Sequence, residues 1–297
     1  DIVAVVEYHD TENDRRLKIY KNVNNTWTII GNLQRYQTER SMEKSISLSG
    51  DGKTVAWISK RIMVYKYTSG TSWTNMNTPY GLDVDGVTYK SKVCLNYLGN
   101  VLVCSQPEKS PNAPIKIFDL SSNNIWIQRT NEITGNNLAE EHGWSMDLTD
   151  DGNTLAVSTF RGAGGGTARG EVKVYDISTA TPVQKGSTIN GDLDYDWLGE
   201  SVSLSNDGKF LAISSRESFG LNRDQYIKVF EWNGSSWNLR GSKIDITNSK
   251  NNNLQTSLDI NNDGTILVSL QGSTNGNYAA TFTGNITVYE YLNNNWV

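Results

Sequence analysis

A hairpin pattern recurs five times along this chain, and a repeat of that kind leaves few folds open. The clearest copy is SVSLSNDGKFLAIS at residues 201–214, where small polar and apolar residues alternate before an Asp-Gly turn and a second apolar strand. Such alternation is typical of a half-buried strand, and Asp-Gly is a strong turn signal. The copies lie 47, 53, 56 and 56 residues apart, counted between the turn glycines Gly52, Gly99, Gly152, Gly208 and Gly264.

Two more strands follow each hairpin. The third has the form Ile-Lys-Val-Tyr/Phe, as in IKVFEW at residues 227–232. In the unit around residues 145–188, Pro182 occupies the centre of the fourth strand, as expected for an exposed edge strand. In the other units the centre of that strand is a tryptophan, namely Trp27, Trp73, Trp126, Trp237 and Trp296.

Repeated four-stranded antiparallel units predict an all-β fold, a β-propeller of about six blades, in one domain over residues 1–297. A parallel β-helix would instead show short coils of constant length. We name the strands A, B, C and D from the centre outwards. The chain opens at a strand B, so the first blade lacks its innermost strand, and we expect either a strand after Val297 to close the ring or the chain to be cut from a longer protein. The approximate blade ranges are 1–33, 45–77, 92–130, 145–188, 201–242 and 257–297.

The strand A to strand B turn also predicts a register. If Ser205 pairs with Lys209, then Leu204 faces Phe210 across a bulged turn. In the same register Cys94 pairs with Leu102 and lies diagonally from Cys104, too far for an easy disulfide. We therefore expect two buried free thiols.

The repeats resemble two propeller families. Residues 198–202 (LGESV) and 142–146 (HGWSM), each leading into a hairpin with an Asp-Gly turn, resemble the FG-GAP-type repeats of integrin-α-like propellers. Strands A to C, as in residues 203–232, also resemble WD40-type blades. The resemblance covers nearly the whole chain. It implies a propeller fold and an adhesive or interaction role, with an extracellular, cell-surface or virion-surface location.

Composition excludes several partners. The net charge is −5 and no basic block is present, which argues against a nucleic-acid binder. No apolar run approaches 18 residues, so we expect no membrane insertion. With His9 and His142 as the two histidines, metal clusters built from several histidines are excluded within one chain.

Loop lengths locate the expected binding face. The A–B and C–D turns are short, whereas the D–A loops and most B–C loops are long, and these long loops share one face of a propeller. Aromatic residues beside arginine are typical of recognition sites, although several could equally pin their own loops. We predict a protein or glycan ligand on this face, contacted by Trp144, His142, Phe160, Arg161, Tyr195, Trp197, Arg216 and Arg223.

An acidic run, Asp192, Asp194 and Asp196, lies in one of the long loops. Alternate carboxylates could converge on Ca²⁺, a hard cation that prefers oxygen ligands, although a solvated acidic loop is the competing interpretation. We expect calcium as the only candidate cofactor.

No catalytic motif is evident in the sequence. No Gly-x-Ser-x-Gly motif occurs, and the loop-rich face favours recognition. The sequence therefore predicts a non-catalytic recognition or assembly module and not an enzyme. Two alternatives stay open: a glycan-processing enzyme that uses acidic residues of the long-loop face, and an intracellular WD40-like scaffold.

Overall fold

The computed structural model describes residues 1–9, 14–33, 45–58, 62–76, 91–107, 112–136, 138–216, 224–246, 255–273 and 283–297. These residues form six antiparallel sheets, connected in chain order, and contain no α-helix. The first sheet has three strands and the others have four or five. The prediction of an all-β propeller whose first blade lacks strand A is therefore confirmed.

The strands of the first three blades follow the order B, C, D in blade 1 and A, B, C, D afterwards. Their bounds are β1 (Ile2–His9), β2 (Asp14–Val23) and β3 (Thr26–Leu33) in blade 1; β4 (Ile46–Leu48), β5 (Thr54–Ile58), β6 (Ile62–Ser69) and β7 (Ser72–Met76) in blade 2; β8 (Val93–Leu95), β9 (Val101–Ser105), β10 (Ile115–Leu120) and β11 (Trp126–Gln128) in blade 3.

Blades 4 and 5 divide their outermost strand into two short pieces that both pair with strand C. A single turn of 3-10 helix, Leu138–Glu140, precedes blade 4. The remaining bounds are β12 (His142–Leu148), β13 (Thr154–Thr159), β14 (Glu171–Asp176), β15 (Val183–Gln184) and β16 (Ile189–Asn190) in blade 4; β17 (Val202–Leu204), β18 (Phe210–Ser214), β19 (Gln225–Trp232), β20 (Trp237–Leu239) and β21 (Ile244–Ile246) in blade 5; β22 (Gln255–Ile260), β23 (Ile266–Ser273), β24 (Thr283–Leu292) and β25 (Asn295–Trp296) in blade 6.

The A–B turn is one residue longer than the sequence predicted. Leu204 faces Leu211 and not Phe210, and the backbone N–H of Ser205 donates to the carbonyl of Phe210 at 2.9 Å. The reason lies in the side chains: the Ser205 hydroxyl accepts from the Phe210 N–H at 2.9 Å and donates to the Asp207 carboxylate at 2.7 Å. This capped turn occupies the place where the prediction put a shorter bulged loop.

The same one-residue correction applies to the cysteines. Cys94 pairs with Val103 and not with Leu102, while Cys104 pairs with Val93. Both thiols are free, as predicted; Cys104 is buried and Cys94 is half-buried. Burial raises the pKa of each thiol, so neither is a reactive thiolate at neutral pH.

The core consists of five hydrophobic clusters, and each lies at the junction of two successive blades. Between blades 2 and 3, for example, Ala56 and Ile58 pack against Leu102 and Cys104, and all four are at most 1% exposed. The same pattern holds at the other four junctions from blade 1 to blade 6. The sheets of blades 2 to 5 are thus covered on both faces, which explains why their strand B is a nearly continuous apolar run. The sheets of blades 1 and 6 take part in one junction each, and Val3, Val5, Ile286 and Val288 are exposed.

In blades 2, 5 and 6 the strand D tryptophan connects its blade to the one before it. The indole N–H groups of Trp73, Trp237 and Trp296 donate to backbone carbonyls of the preceding strand D region at 2.8–3.0 Å. A glycine in the preceding blade makes room for each ring: a Cβ on Gly31 would lie 2.7 Å from Trp73, and one on Gly241 would lie 3.1 Å from Trp296. These tryptophans hold the fold together.

Strand A connects neighbouring blades near the centre. Seven residues before the turn glycine, four of the five blades with a strand A have a serine. In three of them the hydroxyl accepts a hydrogen bond from a backbone N–H of the next blade. These bonds, at 3.0–3.1 Å, join Ser45 to Val93, Ser145 to Val202 and Ser201 to Leu258. In blade 3 the position is held by Lys92, whose ammonium group cannot accept a hydrogen bond. The junction between blades 3 and 4 therefore lacks this bond.

Two residues further along strand A, a side chain again accepts a hydrogen bond from the next blade. In blade 4 this side chain is Asp147, and its effect on stability depends on pH. Its carboxylate accepts from the Leu204 N–H at 2.7 Å, a role that the Ser203 hydroxyl performs for Ile260 at 3.2 Å. Burial, assisted by the nearby Asp259 carboxylate, raises the pKa of Asp147 from 3.8 to about 6. The folded state thus binds this proton more tightly than the unfolded state, and stability falls as pH rises from about 4 through about 6.

Replacing Asp147 by serine should therefore stabilise the protein at neutral pH. A pKa raised by about two units corresponds to a cost of about 1–3 kcal/mol once the carboxyl is ionised. We expect the free energy of unfolding of Asp147→Ser, measured in urea, to exceed that of the parent by this amount at pH 7.5 and to match it at pH 3.5. Asp151, whose pKa is lowered by hydrogen bonds from Thr149 and Asn153, is the control, and Asp151→Ser should lose stability at pH 7.5. An equal gain for Asp147→Ser at both pH values would contradict this account.

Candidate functional site

Two glycines position the site at the long-loop end of blades 4 and 5. Gly143 and Gly199 have φ angles of 79° and 99°, and each lies two residues before the strand A serine of its blade, Ser145 or Ser201. A Cβ on Gly143 would lie 2.6 Å from the Cβ of Ser105, and one on Gly199 would lie 2.5 Å from that of Ser158. Only glycine allows the chain to cross the preceding blade so closely. The next residues, Trp144 and Glu200, therefore occupy equivalent places in adjacent blades.

Glu200 is the buried acid of the site. Its Oε2 lies 3.5 Å from Nη1 of Arg216, with the two side chains 5% and 13% exposed. The indole of Trp144 is close enough to lower the pKa of the same carboxyl group. Burial raises the pKa of Glu200 above the usual glutamate value, and Arg216, Lys92 and Trp144 oppose that shift without cancelling it. A carboxyl group perturbed in this way is a candidate for acid–base chemistry.

A row of aromatic rings runs beside this carboxyl group. Trp144 stacks on Phe160 with ring centres 4.9 Å apart, and Phe160 contacts Trp197 at 5.4 Å. Each end of the row carries a cation: Lys92 lies over Trp144 at 5.8 Å, and Arg161 lies over Trp197 at 5.2 Å. Phe160 is buried, whereas the two tryptophans are half-buried. Together with Lys92 of blade 3, the rings join blade 3, blade 4 and the connection into blade 5 at this face.

The loop of residues 162–170 is held by the acidic loop of residues 190–198. Two backbone N–H groups, those of Tyr195 and Leu198, donate to the carbonyls of Thr167 and Arg169 at 2.8 and 2.9 Å. A Cβ at Gly170 would lie 2.2 Å from the backbone oxygen of Leu198. The paired loops form a rigid support for the aromatic row.

Backbone strain is concentrated in this support. Tyr195 and Trp197 have φ angles of 65° and 49°, in the left-handed region that bulky side chains avoid. Such residues persist where surrounding contacts overdetermine them, and they cluster at functional sites. The strain at Trp197 places its ring against Phe160 and beneath Arg161. We interpret it as the conformational cost of preorganising the aromatic row.

Each carboxylate of the acidic run has a different partner in this structure. The Asp192 carboxylate pairs closely with the ammonium of Lys228, and the Asp194 carboxylate accepts from Nε of Arg169 at 2.8 Å. These two cations approach from different strands and loops, so they hold the two carboxylates apart. The charges of the run are thereby compensated without a metal ion.

The third carboxylate of the run has a partner of its own. Asp196 is 7% exposed and accepts from the Tyr226 hydroxyl and the Leu193 N–H, both at 2.9 Å. In the part of the chain that the structure describes, no three His, Cys, Asp or Glu side chains are grouped so that they could hold a metal ion. Calcium binding at this loop stays a prediction, and it would require Ca²⁺ to displace Lys228 and Arg169.

The other predicted contact residues are dispersed. His142 is 2% exposed, its Nδ1 lies 2.9 Å from the Thr159 hydroxyl, and burial lowers its pKa to about 4, so it is neutral at pH 7. Arg161 pairs with Glu141 at 3.6 Å, and Tyr195 is 42% exposed at the loop tip. Arg223 lies outside the described residues.

No family model and no curated protein matches the sequence. Among solved structures, a protein from Lactobacillus plantarum is similar over 100% of this chain and 80% of its own, with a TM-score of 0.65 and 12% identity. A periplasmic gluconolactonase from Pseudomonas aeruginosa covers 97% of this chain and 85% of its own (TM-score 0.57, 11% identity). A proposed 6-phosphogluconolactonase from Bacteroides uniformis covers 96% and 82% (TM-score 0.60, 10% identity).

These similarities show the fold, and they correct one prediction. The sequence predicted a non-catalytic recognition module and not an enzyme, and that prediction is contradicted, because chains of this fold are described as lactonases. Of the two alternatives, the enzyme that acts on carbohydrate through acidic residues agrees better with them. The described residues also include no helix with the length and apolar character needed to cross a membrane.

Sequence reasoning found the aromatic row but missed Glu200 and Lys92 as site residues. Glu200 was considered only as part of a repeat motif. A comparison between the blades would have found Lys92. Every other blade with a strand A has serine at the equivalent position, seven residues before the turn glycine. Departures from a structural repeat are expected where function overrides it.

Proposed function

We propose that this protein is a hydrolase that opens a sugar-derived lactone or a closely related ester. The observation that carries the proposal is the buried carboxyl group of Glu200, with a raised pKa, between Arg216 and Trp144 at the long-loop face. The lactonase descriptions of two structurally similar proteins suggest which esters to test first.

The surroundings of Glu200 favour an ester over a glycoside. Glycosidases need two carboxyl groups about 5–9.5 Å apart. Among the described residues, the charged groups that influence the pKa of Glu200 are two cations, Arg216 and Lys92, and no second acid is among them. One base beside two cations suits attack on an ester carbonyl, where negative charge develops on the carbonyl oxygen.

The reaction would use Glu200 first as a base and then as an acid. The ionised carboxylate takes a proton from water while the water oxygen bonds to the lactone carbonyl carbon, giving a tetrahedral intermediate. The ring C–O bond then breaks, and the Glu200 carboxyl returns its proton to the departing alkoxide oxygen. A hydroxy acid results. A pKa nearer to the working pH makes a carboxylate a better base for this step.

Two finer expectations belong to the same proposal. A periplasmic similar structure supports a location outside the cytoplasm, consistent with the surface location expected from the sequence. The FG-GAP-type resemblance is retained as a proposal about the repeats, supported by Gly143 and Gly199 at the motif positions.

The decisive experiment offers the purified protein a panel of substrates. The panel contains glucono-1,5-lactone, its 6-phosphate, p-nitrophenyl acetate and p-nitrophenyl glycosides. Acid release from the lactones is followed at constant pH and corrected with heat-inactivated protein, because lactones also open spontaneously. We expect enzyme-dependent opening of at least one lactone and no glycoside cleavage. Turnover of glycosides alone, or of no substrate, would overturn the proposal.

A further inference from the structure

Lys92 departs from the repeat in a way that weakens the scaffold. At its position Ser45, Ser145 and Ser201 each accept a hydrogen bond from the next blade, and a lysine cannot accept one. Its backbone keeps the usual place, since its N–H donates to the Ser105 hydroxyl at 3.1 Å. The fold therefore gives up an inter-blade bond to put a cation at this point.

The ammonium group of Lys92 lies inside the candidate site. It is 5.8 Å from the centre of the Trp144 ring and close enough to Glu200 to lower the pKa of that carboxyl group. The residue is half-buried. Within the described residues no carboxylate lies within ion-pair distance of it, whereas Arg216 is paired with Glu200 and Arg161 with Glu141.

Among the cations that the structure describes around Glu200, Lys92 is thus the one available to bind an anion from outside. A half-buried cation beside an aromatic face attracts an anion more strongly than a solvated lysine does, because screening is weaker there. The reaction proposed for Glu200, which is next to Lys92, creates negative charge on the carbonyl oxygen of the substrate.

We propose that Lys92 binds the negative charge that ester hydrolysis creates, first on the carbonyl oxygen of the intermediate and then on the carboxylate of the sugar-acid product. The identity of the ligand as a sugar acid rests on the proposed function; the anion-binding role of Lys92 rests on the geometry. The proposal makes Lys92 a catalytic residue and makes the product a ligand of the free protein.

The test compares Lys92→Ser, Lys92→Met and the parent. Serine restores the residue of the other blades, so the midpoint of thermal unfolding should stay the same or rise. Methionine keeps an unbranched stem against Trp144 and removes the charge. Lys53→Ser is the control, because Lys53 lies on the opposite, short-turn face and is 64% exposed. Gluconate binding is measured by calorimetry, and lactone opening is measured at constant pH.

We expect both Lys92 variants to bind gluconate at least tenfold more weakly and to open lactone 10- to 1000-fold more slowly, as for loss of one oxyanion contact. The control should match the parent in both. If the parent and Lys92→Ser open lactone at the same rate, the role of Lys92 is overturned and the proposed function stays intact. Gluconate binding that depends on Lys92, without turnover of any lactone, would overturn the function and leave the anion site. If both variants bind gluconate and open lactone as well as the parent does, the inference is refuted.

Discussion

Replacing Glu200 by glutamine should lower the turnover of the responsive lactone by about 100- to 10,000-fold, the range that one general base contributes. Glutamine keeps the shape of the side chain, but it cannot take a proton from water. Because the shape of the site is unchanged, the loss should fall on kcat more than on KM. The measurement is steady-state acid release at constant pH.

The pH dependence gives a second and sharper readout of Glu200. The carboxylate must be ionised to act as a base, so the parent rate should fall as pH drops through the Glu200 pKa, which lies above the usual glutamate value. The residual rate of Glu200→Gln should lack this step. Glu132→Gln, at a half-exposed carboxylate that pairs with Lys116 at 3.2 Å, is the matched control and should keep the parent profile.

A fold defect must be separated from a chemical one. Glutamine removes the negative charge that pairs with the guanidinium of Arg216, which should cost some stability, because the pair is mostly buried. Thermal unfolding and near-ultraviolet circular dichroism report whether the aromatic row is intact. A folded Glu200→Gln protein with undiminished turnover would remove Glu200 from the mechanism.

The fold was predictable because its determinants are local and repeated. Alternating residues, Asp-Gly turns and strand D tryptophans each act within one blade or on its immediate neighbour. The predicted register of strands A and B was wrong by one residue. The Ser205 side chain caps the turn, and the alternation of apolar residues in the strands does not reveal this. Gly31, Gly186 and Gly241 were overlooked, because a glycine that makes room for a tryptophan of the next blade has no signal in its own blade.

The site was less predictable because its partners come from distant parts of the chain. The acidic run suggested calcium, yet Lys228 and Arg169 reach Asp192 and Asp194 from 36 and 25 residues away. His142 was selected as an aromatic loop residue, but it packs at the place that Leu198 fills in the next blade. Burial of this kind depends on which loops meet, and a single sequence does not reveal it.

The pairing of the loops of residues 162–170 and 190–198 depends on Gly170, and Gly170→Ala should disrupt it. Gly170 has a φ of 81°, and an added Cβ would lie 2.2 Å from the backbone oxygen and 2.3 Å from the backbone nitrogen of Leu198. Backbone atoms cannot rotate away, so residues 162–170 and 190–198 would have to separate. We expect a loss of about 3–5 kcal/mol in the free energy of unfolding, the upper end of the range for point substitutions.

Gly165→Ala isolates the steric part of this effect. Gly165 lies in the same loop with a similar φ of 79°, but nothing is within 4 Å of the place its Cβ would occupy. It should lose only the left-handed backbone penalty of about 1–2 kcal/mol. Urea denaturation gives both values, and tryptophan fluorescence reports whether Trp197 leaves Phe160. Because Trp197 stays in place in Gly165→Ala, that variant should retain lactone turnover, whereas Gly170→Ala should lose it together with the native fluorescence. Equal losses of stability in the two variants would mean that the close approach of Gly170 to Leu198 does not hold the two loops together.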